Sequence, residues 1–356
     1  MAGDRNKFGF LCRVISLALL LSVMVPHDSV SQTPFYQGKT ITVIHNSSSG
    51  GSGDLRLRTV VAHLRKHIPG NPAITIDYMP GGGGRKTANF IFNSARPDGL
   101  TMGNMGSGMI PNAVLKETGV QYDLNRFIYL GSALSGTQYV FMTRREAGLN
   151  SLDKLRSTPG VRVGAHSIGH IVYAQGRVFS YMIGLKDPRF VTGYSDPELT
   201  LAMAQGEIDA RAQIPDAIVL RNPEWIDKGL MDFHAVNRLA GHEIDARFAH
   251  LPDLGSFAKS EKDRKVLALF AAFQQTGTPL VLPPGVPRER SQIVQDAMRR
   301  TLKDPEFRRD FKKITGEDAA PIMPEELEKA IKQLPQEPEV VELYKKLAGG
   351  DPLPSR

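Results

Sequence analysis

The chain has 356 residues, of which 41% are hydrophobic and 23% charged, a composition typical of soluble globular proteins. Its formal net charge of +7 comes from basic residues mixed with acidic ones, without a basic run interleaved with aromatics, which argues against nucleic-acid binding. Cys12 is the only cysteine. Downstream of it, the sequence therefore excludes disulfides, thiol catalysis and cysteine-based zinc motifs.

The N-terminus has the layout of a secretory signal peptide. Arg5, Lys7 and Arg13 precede an apolar run from Val14 to Val25, and Ser29-Val30-Ser31 offers small residues at a cleavage-like spacing. We predict that residues 1–31 are removed on secretion. The alternative is an uncleaved anchor, although the run is shorter than the about 20 residues that span a bilayer.

The most informative stretch is residues 40–58. The β-branched run Thr40–Ile44 predicts a strand, and the Ser/Gly-rich segment Ser47–Asp54 predicts a loop. Apolar residues then recur at helical spacing, at Leu57, Val60, Val61 and Leu64. The first N–H groups of such a helix lack helical partners, and its dipole favours an anion. The unit therefore predicts a site for a negatively charged group, or else an ordinary βα turn.

Strand-like and helix-like segments alternate along the chain, which predicts an α/β fold. Further strands are predicted at Ile74–Met79, Leu100–Met105, Phe127–Ala133, Gln138–Thr143 and Val161–Gly164. Helices are predicted at Arg85–Phe92, Ile171–Tyr181 and Pro197–Ala204. The C-terminal third is more helical, with predicted helices at Lys262–Phe273, Arg288–Leu302, Pro305–Ile314 and Glu325–Gln333.

The order of these elements resembles the periplasmic receptor subunits of tripartite tricarboxylate transporters. Five segments carry the resemblance, beginning with the predicted first strand: Phe35–Thr42, Ser49–Asp54 with Arg58, Pro80–Gly84, Pro97–Thr101, and Gly193-Tyr194 with Gly206–Asp209. Pro283–Pro287 and Lys303–Phe307 extend it. Each glycine-rich motif is common by itself, but their order behind a signal peptide is specific.

The resemblance implies a two-domain (Venus flytrap) binding protein with mixed sheets flanked by helices. The implied domains are residues 32–138 and 139–258, followed by a helical segment, 259–356, that returns to domain 1. It further implies a periplasmic, monomeric, non-enzymatic receptor without cofactor or metal. Such a receptor captures a small organic acid and delivers it to the membrane permease subunits of a tripartite transporter.

The resemblance also implies where ligand binds. Backbone groups of the first loop would hold a carboxylate, at Ser47, Ser48, Ser49, Gly50 and Gly51. Asp54 would cap the helix and orient that loop. The facing loop of domain 2 would supply His166, Ser167, Gly169 and His170, with Ser107 at the rim. Tyr194 of the second-domain segment would also bind ligand. Ser49, Ser167 and His170 depart from the family pattern, and both histidines of the facing loop bear on the charge of the cleft. They could add positive charge as pH falls, or hydrogen-bond to backbone.

A secreted enzyme is the alternative. Gly81–Gly84 suggests a nucleotide loop, but a full G-x-G-x-x-G pattern with its acidic partner, a P-loop and a Gly-x-Ser-x-Gly elbow are lacking in the sequence. His63 and His67 could bind metal, yet Leu64 stands where a zinc protease has Glu and a third ligand is not apparent, so a solvated face is expected. His242, Glu243 and His250 are similarly weak. Dicarboxylates, tricarboxylates, aromatic acids and acidic amino acids all stay open as ligands, as does a sensor role without a permease.

Overall fold

The computed structural model describes residues 33–239, 241–335 and 337–356, so the predicted signal peptide lies outside the described residues. The strands are β1 (Thr40–His45), β2 (Ala73–Tyr78), β3 (Thr101–Asn104), β4 (Ile128–Gly131), β5 (Tyr139–Arg144), β6 (Arg162–Gly164), β7 (Arg189–Val191), β8 (Ala210–Gln213), β9 (Met231–Asn237) and β10 (Leu280–Leu282).

The first α-helices are α1 (Ser52–His67), α2 (Arg85–Asn93), α3 (Met109–Val114), α4 (Leu152–Ser157), α5 (Ile171–Ile183), α6 (Asp196–Gln205), α7 (Pro215–Arg221) and α8 (Glu224–Asp227). Those of the C-terminal third are α9 (Glu261–Gln275), α10 (Arg288–Lys303), α11 (Pro305–Thr315), α12 (Pro324–Lys332) and α13 (Pro338–Ala348). Among the described residues, none of the helices combines the length and the apolar character needed to cross a membrane.

Two mixed sheets organise the chain into two lobes. The first sheet has the order β2-β1-β3-β10-β4, in which β1 pairs in parallel with β2 and β3, and β10 is antiparallel to both neighbours. The second has the order β7-β6-β8-β5-β9, in which β6 pairs in parallel with β7 and β8, and β5 is antiparallel to both neighbours. In each sheet one strand, β1 or β6, has a parallel neighbour on both sides. The strand order reverses at this strand, because the chain continues first on one side of it and then on the other.

The helices cover the sheets with their apolar faces. Leu57 and Leu64 of α1 are buried together with Val43 of β1 and Phe307 of α11 in one cluster. A second cluster fills the other lobe and extends to Ile91 beneath the first sheet. The spacing that predicted α1 thus corresponds to its buried face.

The C-terminal segment is divided between the lobes, whereas the prediction returned all of it to domain 1. Helices α10, α11 and α12 pack against α1 and β4 of the first lobe, but α13 packs against α9 and α5. Arg177 of α5 explains this attachment, because its buried guanidinium donates to the carbonyl oxygens of Leu347, Lys346 and Asp351. Helix α13 was not predicted from the sequence.

Candidate functional site

A cleft of about 350 Å³ lies between the lobes. His45 at the end of β1 and Asn104 at the end of β3 line it from the first lobe, and His166, just after β6, lines it from the second. The carboxyl ends of parallel strands where the strand order reverses are the usual binding position in open α/β sheets. The topology therefore directs the two predicted loops to the same space.

The N-terminus of α1 opens onto this cleft. Its N-cap residue is Gly51, which has no side chain to accept a hydrogen bond from the first turn. Ser47, Ser48 and Ser49 line the cleft beside it, as does Gly51 itself. Uncapped first-turn N–H groups and three hydroxyls on small residues make this end of the cleft suited to an anion.

Asp54 lines the cleft and orients the loop, as predicted, but it does not cap α1, whose N-cap residue is Gly51. It lies inside the first turn, is 2% exposed, and accepts hydrogen bonds from Gly50 N at 2.9 Å and from Tyr78 Oη at 2.7 Å. Burial alone would raise its pKa, but these bonds and the guanidinium of Arg58 lower the pKa of Asp54 below its usual value. Because its N–H is used by Asp54, Gly50 does not line the cleft as predicted.

The facing loop, Ala165–His170, contacts the first lobe directly. Ser167 Oγ accepts a hydrogen bond from Gly83 N at 3.1 Å. Gly169 was predicted to bind ligand, but it lies outside the cleft lining because its backbone packs against Gly83 and Gly108. A Cβ atom added to Gly83 would lie 2.5 Å from the Gly169 carbonyl carbon, and one added to Gly108 would lie 2.4 Å from its oxygen. The Gly-rich turn of residues 81–84 thus packs directly against the second lobe.

Three histidines line the cleft as neutral rings. Burial lowers the pKa of His166 to about 4, lowers that of His170 well below its usual value, and lowers that of His45. His170 Nδ1 accepts from Val172 N at 3.2 Å and so caps α5, which is the predicted hydrogen bond to backbone and leaves Nε2 as the protonated nitrogen. His166 and His170 therefore stay uncharged near neutral pH. The positive charge predicted for them would appear only in more acidic solution.

Two of these rings each have a buried nitrogen atom without a hydrogen-bond partner among the described residues. The Nε2 atoms of His45 and His166 are buried and, within the described ranges, have no hydrogen-bond partner. His45 comes from the first lobe, where its Nδ1 lies 2.8 Å from Asn104 Oδ1, and His166 comes from the second. Unpaired buried polar atoms are rare in native proteins because they cost free energy. Both atoms lie beneath the cleft surface, so a hydrogen-bond partner reaches them only if the lining moves.

Asp196 is a cleft residue that the sequence reasoning missed. Its carboxylate accepts hydrogen bonds from Arg211 Nη2 at 2.8 Å and from Ser52 Oγ of the first lobe at 3.3 Å, and Arg221 Nη1 lies 3.6 Å away. Burial would raise the pKa of Asp196, but the charge of Arg211, its hydrogen bond and the charge of Arg221 hold the pKa well below the usual value. In the sequence, Ser195-Asp196-Pro197 indicates only a helix start.

Ser107 and Tyr194, both predicted to bind ligand, line the cleft. The Tyr194 hydroxyl donates to Glu207 Oε2 at 3.2 Å. Other lining residues that the sequence did not single out are Asn46, Arg56, Thr137, Tyr139, Gln213, Gln274 and Thr278. His45, Asn46 and Asn104 had a usable signal, because each is a polar residue at the carboxyl end of a predicted strand.

His63 and His67 do not form the predicted solvated face. His63 is 3% exposed, its Nε2 lies 3.0 Å from Asp310 Oδ2, and His67 Nε2 lies 3.3 Å from Asp304 Oδ2. His63, Asp304 and Glu306 place possible ligand atoms within 4.8 Å of one another, so the sequence reasoning missed the third partner. Lys66 Nζ, 3.1 Å from Glu306, already supplies a cation there, and the group joins α1 to α11.

The chain matches no family model and no curated protein sequence. Its structure is similar to that of the periplasmic binding protein BugD, with 17% identity over 88% of this chain and 98% of that one and a TM-score of 0.69. It is also similar to MatC from Rhodopseudomonas palustris with bound malate (20% identity, 88% and 99% coverage, TM-score 0.65). A third such structure is R. palustris Rpa4515 with adipate (17%, 87% and 97%, TM-score 0.66). The chain therefore has the two-lobed fold of the periplasmic binding proteins, as the sequence resemblance predicted.

Proposed function

We propose that this protein is the extracytoplasmic receptor of a tripartite tricarboxylate-type transporter and that it binds a small organic anion through a carboxylate. The observation that carries the proposal is the cleft itself. The uncapped N-terminus of α1, the hydroxyls of Ser47–Ser49 and the residues His45 and His166 line the same cleft. The malate and adipate named for two structural neighbours are carboxylates, which supports the same ligand class.

Ligand capture follows from contacts that already join the lobes. Gly83 N to Ser167 Oγ, Ser52 Oγ to Asp196 Oδ2, and Asn112 Nδ2 to the Gly169 carbonyl all cross between them. A ligand that contacts both loops favours this closed arrangement over an open one, in proportion to its preference for the closed state. The closed form would then be recognised by the permease, and no chemical step is required of any residue.

Thermal unfolding of the purified protein against a panel of organic acids, nicotinamide nucleotides and zinc tests the proposal. A ligand that binds only the folded state at 100 times its Kd stabilises it by about 2.7 kcal/mol. We expect a rise in Tm with one class of carboxylate and no conversion of that acid. A rise with a nucleotide or zinc alone would instead support the secreted-enzyme alternative.

A further inference from the structure

Helix α7 of the second lobe packs directly against the end of α11 in the first lobe. A Cβ atom added to Gly316, which follows α11, would lie 2.9 Å from Leu220 Cβ and 3.4 Å from the Asp216 carbonyl oxygen. Helix α7 begins directly after Gln213 and Ile214, and both of these residues line the cleft. The contact between α7 and the end of α11 therefore joins the lobes beside the cleft.

Four carboxylates from the two lobes come together at this contact. Asp216 and Asp245 belong to the second lobe, and Glu317 and Asp318 belong to the first. In the described part of the chain, Asp216 is half-buried and forms no ion pair, whereas each of the other three has a cationic partner. Arg56 pairs with Glu317 at 2.5 Å, Arg247 with Asp245 at 2.8 Å, and Lys312 with Asp318 at 2.8 Å.

Ionisation of Asp216 leaves these charges unbalanced, because four carboxylates then face three cationic groups. Burial, together with repulsion from Glu317, Asp245 and Asp318, raises the pKa of Asp216 to about 6, although Arg56 acts in the opposite direction. When the lobes separate, Asp216 moves away from Glu317 and Asp318 into water, so its pKa returns toward the ordinary value of about 4. Closure then takes up a proton, because the carboxyl group has the higher pKa in the closed state.

We infer that Asp216 is a pH-dependent switch between the lobes, which close more readily when its carboxyl group is protonated. The receptor would then hold its ligand more tightly in mildly acidic surroundings and release it more readily as pH rises. None of the four carboxylates lines the cleft, so the switch is separate from the anion end of the cleft at the N-terminus of α1. The effect on ligand affinity rests on the proposed function, whereas the effect on closure does not.

Small-angle X-ray scattering of the ligand-free protein tests the effect on closure. We expect a larger radius of gyration at pH 8 than at pH 5.5. Asp216→Asn should have the smaller radius at both pH values, because an amide carries no charge at either. Asp153→Asn is the control, since that side chain is 97% exposed, and it should behave like the unsubstituted protein. An unchanged radius in the unsubstituted protein, or the same change in Asp216→Asn, would overturn the inference.

Calorimetric titration with the best-binding acid of the panel tests the effect on affinity. Relative to Asp216→Asn, the unsubstituted protein should bind about fourfold more tightly at pH 5.5 than at pH 8, as pKa values of about 6 when closed and about 4 when open require. At pH 6 it should take up about half a proton more per bound acid, measured in two buffers of different ionisation enthalpy. The same pH dependence in both proteins would overturn the inference and leave the receptor function intact. If no acid binds, the proposed function is wrong, while the scattering experiment still decides whether Asp216 controls closure.

Discussion

Ser52 and Asp196 join the two lobes across the cleft, with the Ser52 hydroxyl donating to Asp196 Oδ2 at 3.3 Å. Ser52 begins α1, and Asp196 begins α6. The same carboxylate accepts from Arg211, whose side chain is fully buried. The Asp196 carboxylate thus balances the buried charge of Arg211 in its own lobe. It also contacts the N-terminus of α1 in the other lobe.

Replacing Asp196 by Asn should destabilise the protein by about 3 kcal/mol at pH 7, because it leaves Arg211 buried without its counter-charge. Since the folded-state pKa of Asp196 is lowered, its stabilisation is present above the unfolded pKa of about 4 and is lost as pH falls. Urea unfolding at pH 7 and at pH 3 measures both effects, because the loss occurs below the unfolded pKa. Asp153→Asn is the control, because that side chain is 97% exposed and should change stability by less than about 0.5 kcal/mol. Equal stability of the two variants would contradict the role of Asp196.

A Gly83→Ala substitution should separate the lobes. Its Cβ would lie 2.5 Å from the Gly169 carbonyl carbon, closer than real contacts allow. Gly148→Ala is a matched control, because its φ of +68° is close to the +63° of Gly83 and its added Cβ meets nothing within 4 Å. Each substitution should cost about 1 kcal/mol through the backbone, but only Gly83→Ala should increase the radius of gyration in small-angle X-ray scattering. Equal radii would show that this contact does not hold the lobes together.

The size of residue 51 should control access to the anion end. An added Cβ at Gly51 has 3.7 Å of clearance from Asp196 Cβ, so Gly51→Ala should fold and bind normally. Gly51→Leu should weaken binding of the best acid of the panel at least tenfold, because its branched end must enter the space beside the first-turn N–H groups. Titration calorimetry of both variants checks this. Unchanged affinity in Gly51→Leu would argue against a backbone anion site.

His170 should act as a neutral residue. Because its pKa is lowered by burial, His170→Ala should weaken acid binding by the same factor at pH 6 and at pH 8. The same substitution removes the cap of α5 and should cost about 1 kcal/mol, which His170→Asn should largely restore because Asn also caps helices. A loss of binding that is several times larger at pH 6 would instead show that a charged imidazole holds the ligand.

Asp216 makes the protein sensitive to pH near neutrality. Burial, together with repulsion from Glu317, Asp245 and Asp318, raises its pKa to about 6. The stability associated with this raised pKa is fully present below the unfolded value of about 4 and is lost as pH rises through 6. Asp216→Asn should therefore stabilise the protein by about 2 kcal/mol at pH 7.5, relative to its effect at pH 4. A pH-independent change in Tm would contradict the shift.

Local patterns were sufficient to predict most of the fold. The β-branched run of β1 and the apolar spacing of α1 correspond to a buried strand and a buried helix face, because both patterns follow directly from what each element must cover. The antiparallel positions of β5 and β10 depend on contacts distant in the chain and were not predicted; the family resemblance implied only that the sheets are mixed. The attachment of α13 to the second lobe depends on Arg177, whose backbone partners are about 170 residues away.

The candidate site was predicted in part. Ser47–Ser49, Gly51, Ser107, Ser167 and Tyr194 lie in loops that the local pattern places at strand ends, and all of them line the cleft. Gly50 and Gly169 were predicted from the same loops, but both lie outside the cleft lining. The N–H of Gly50 donates to Asp54, and the backbone of Gly169 packs against the first lobe. Asp196 and the pairing of Arg56 with Glu317 depend on contacts between distant segments, which spacing in one sequence does not reveal.

The most direct test of carboxylate recognition compares the best-binding acid with its primary amide. The two have nearly the same shape, but only the acid carries the negative charge that the α1 N-terminus favours. Calorimetric titration should give saturable binding of one acid per chain and at least 100-fold weaker binding of the amide. Equal affinities for acid and amide would show that the cleft does not recognise an anion and would contradict the account.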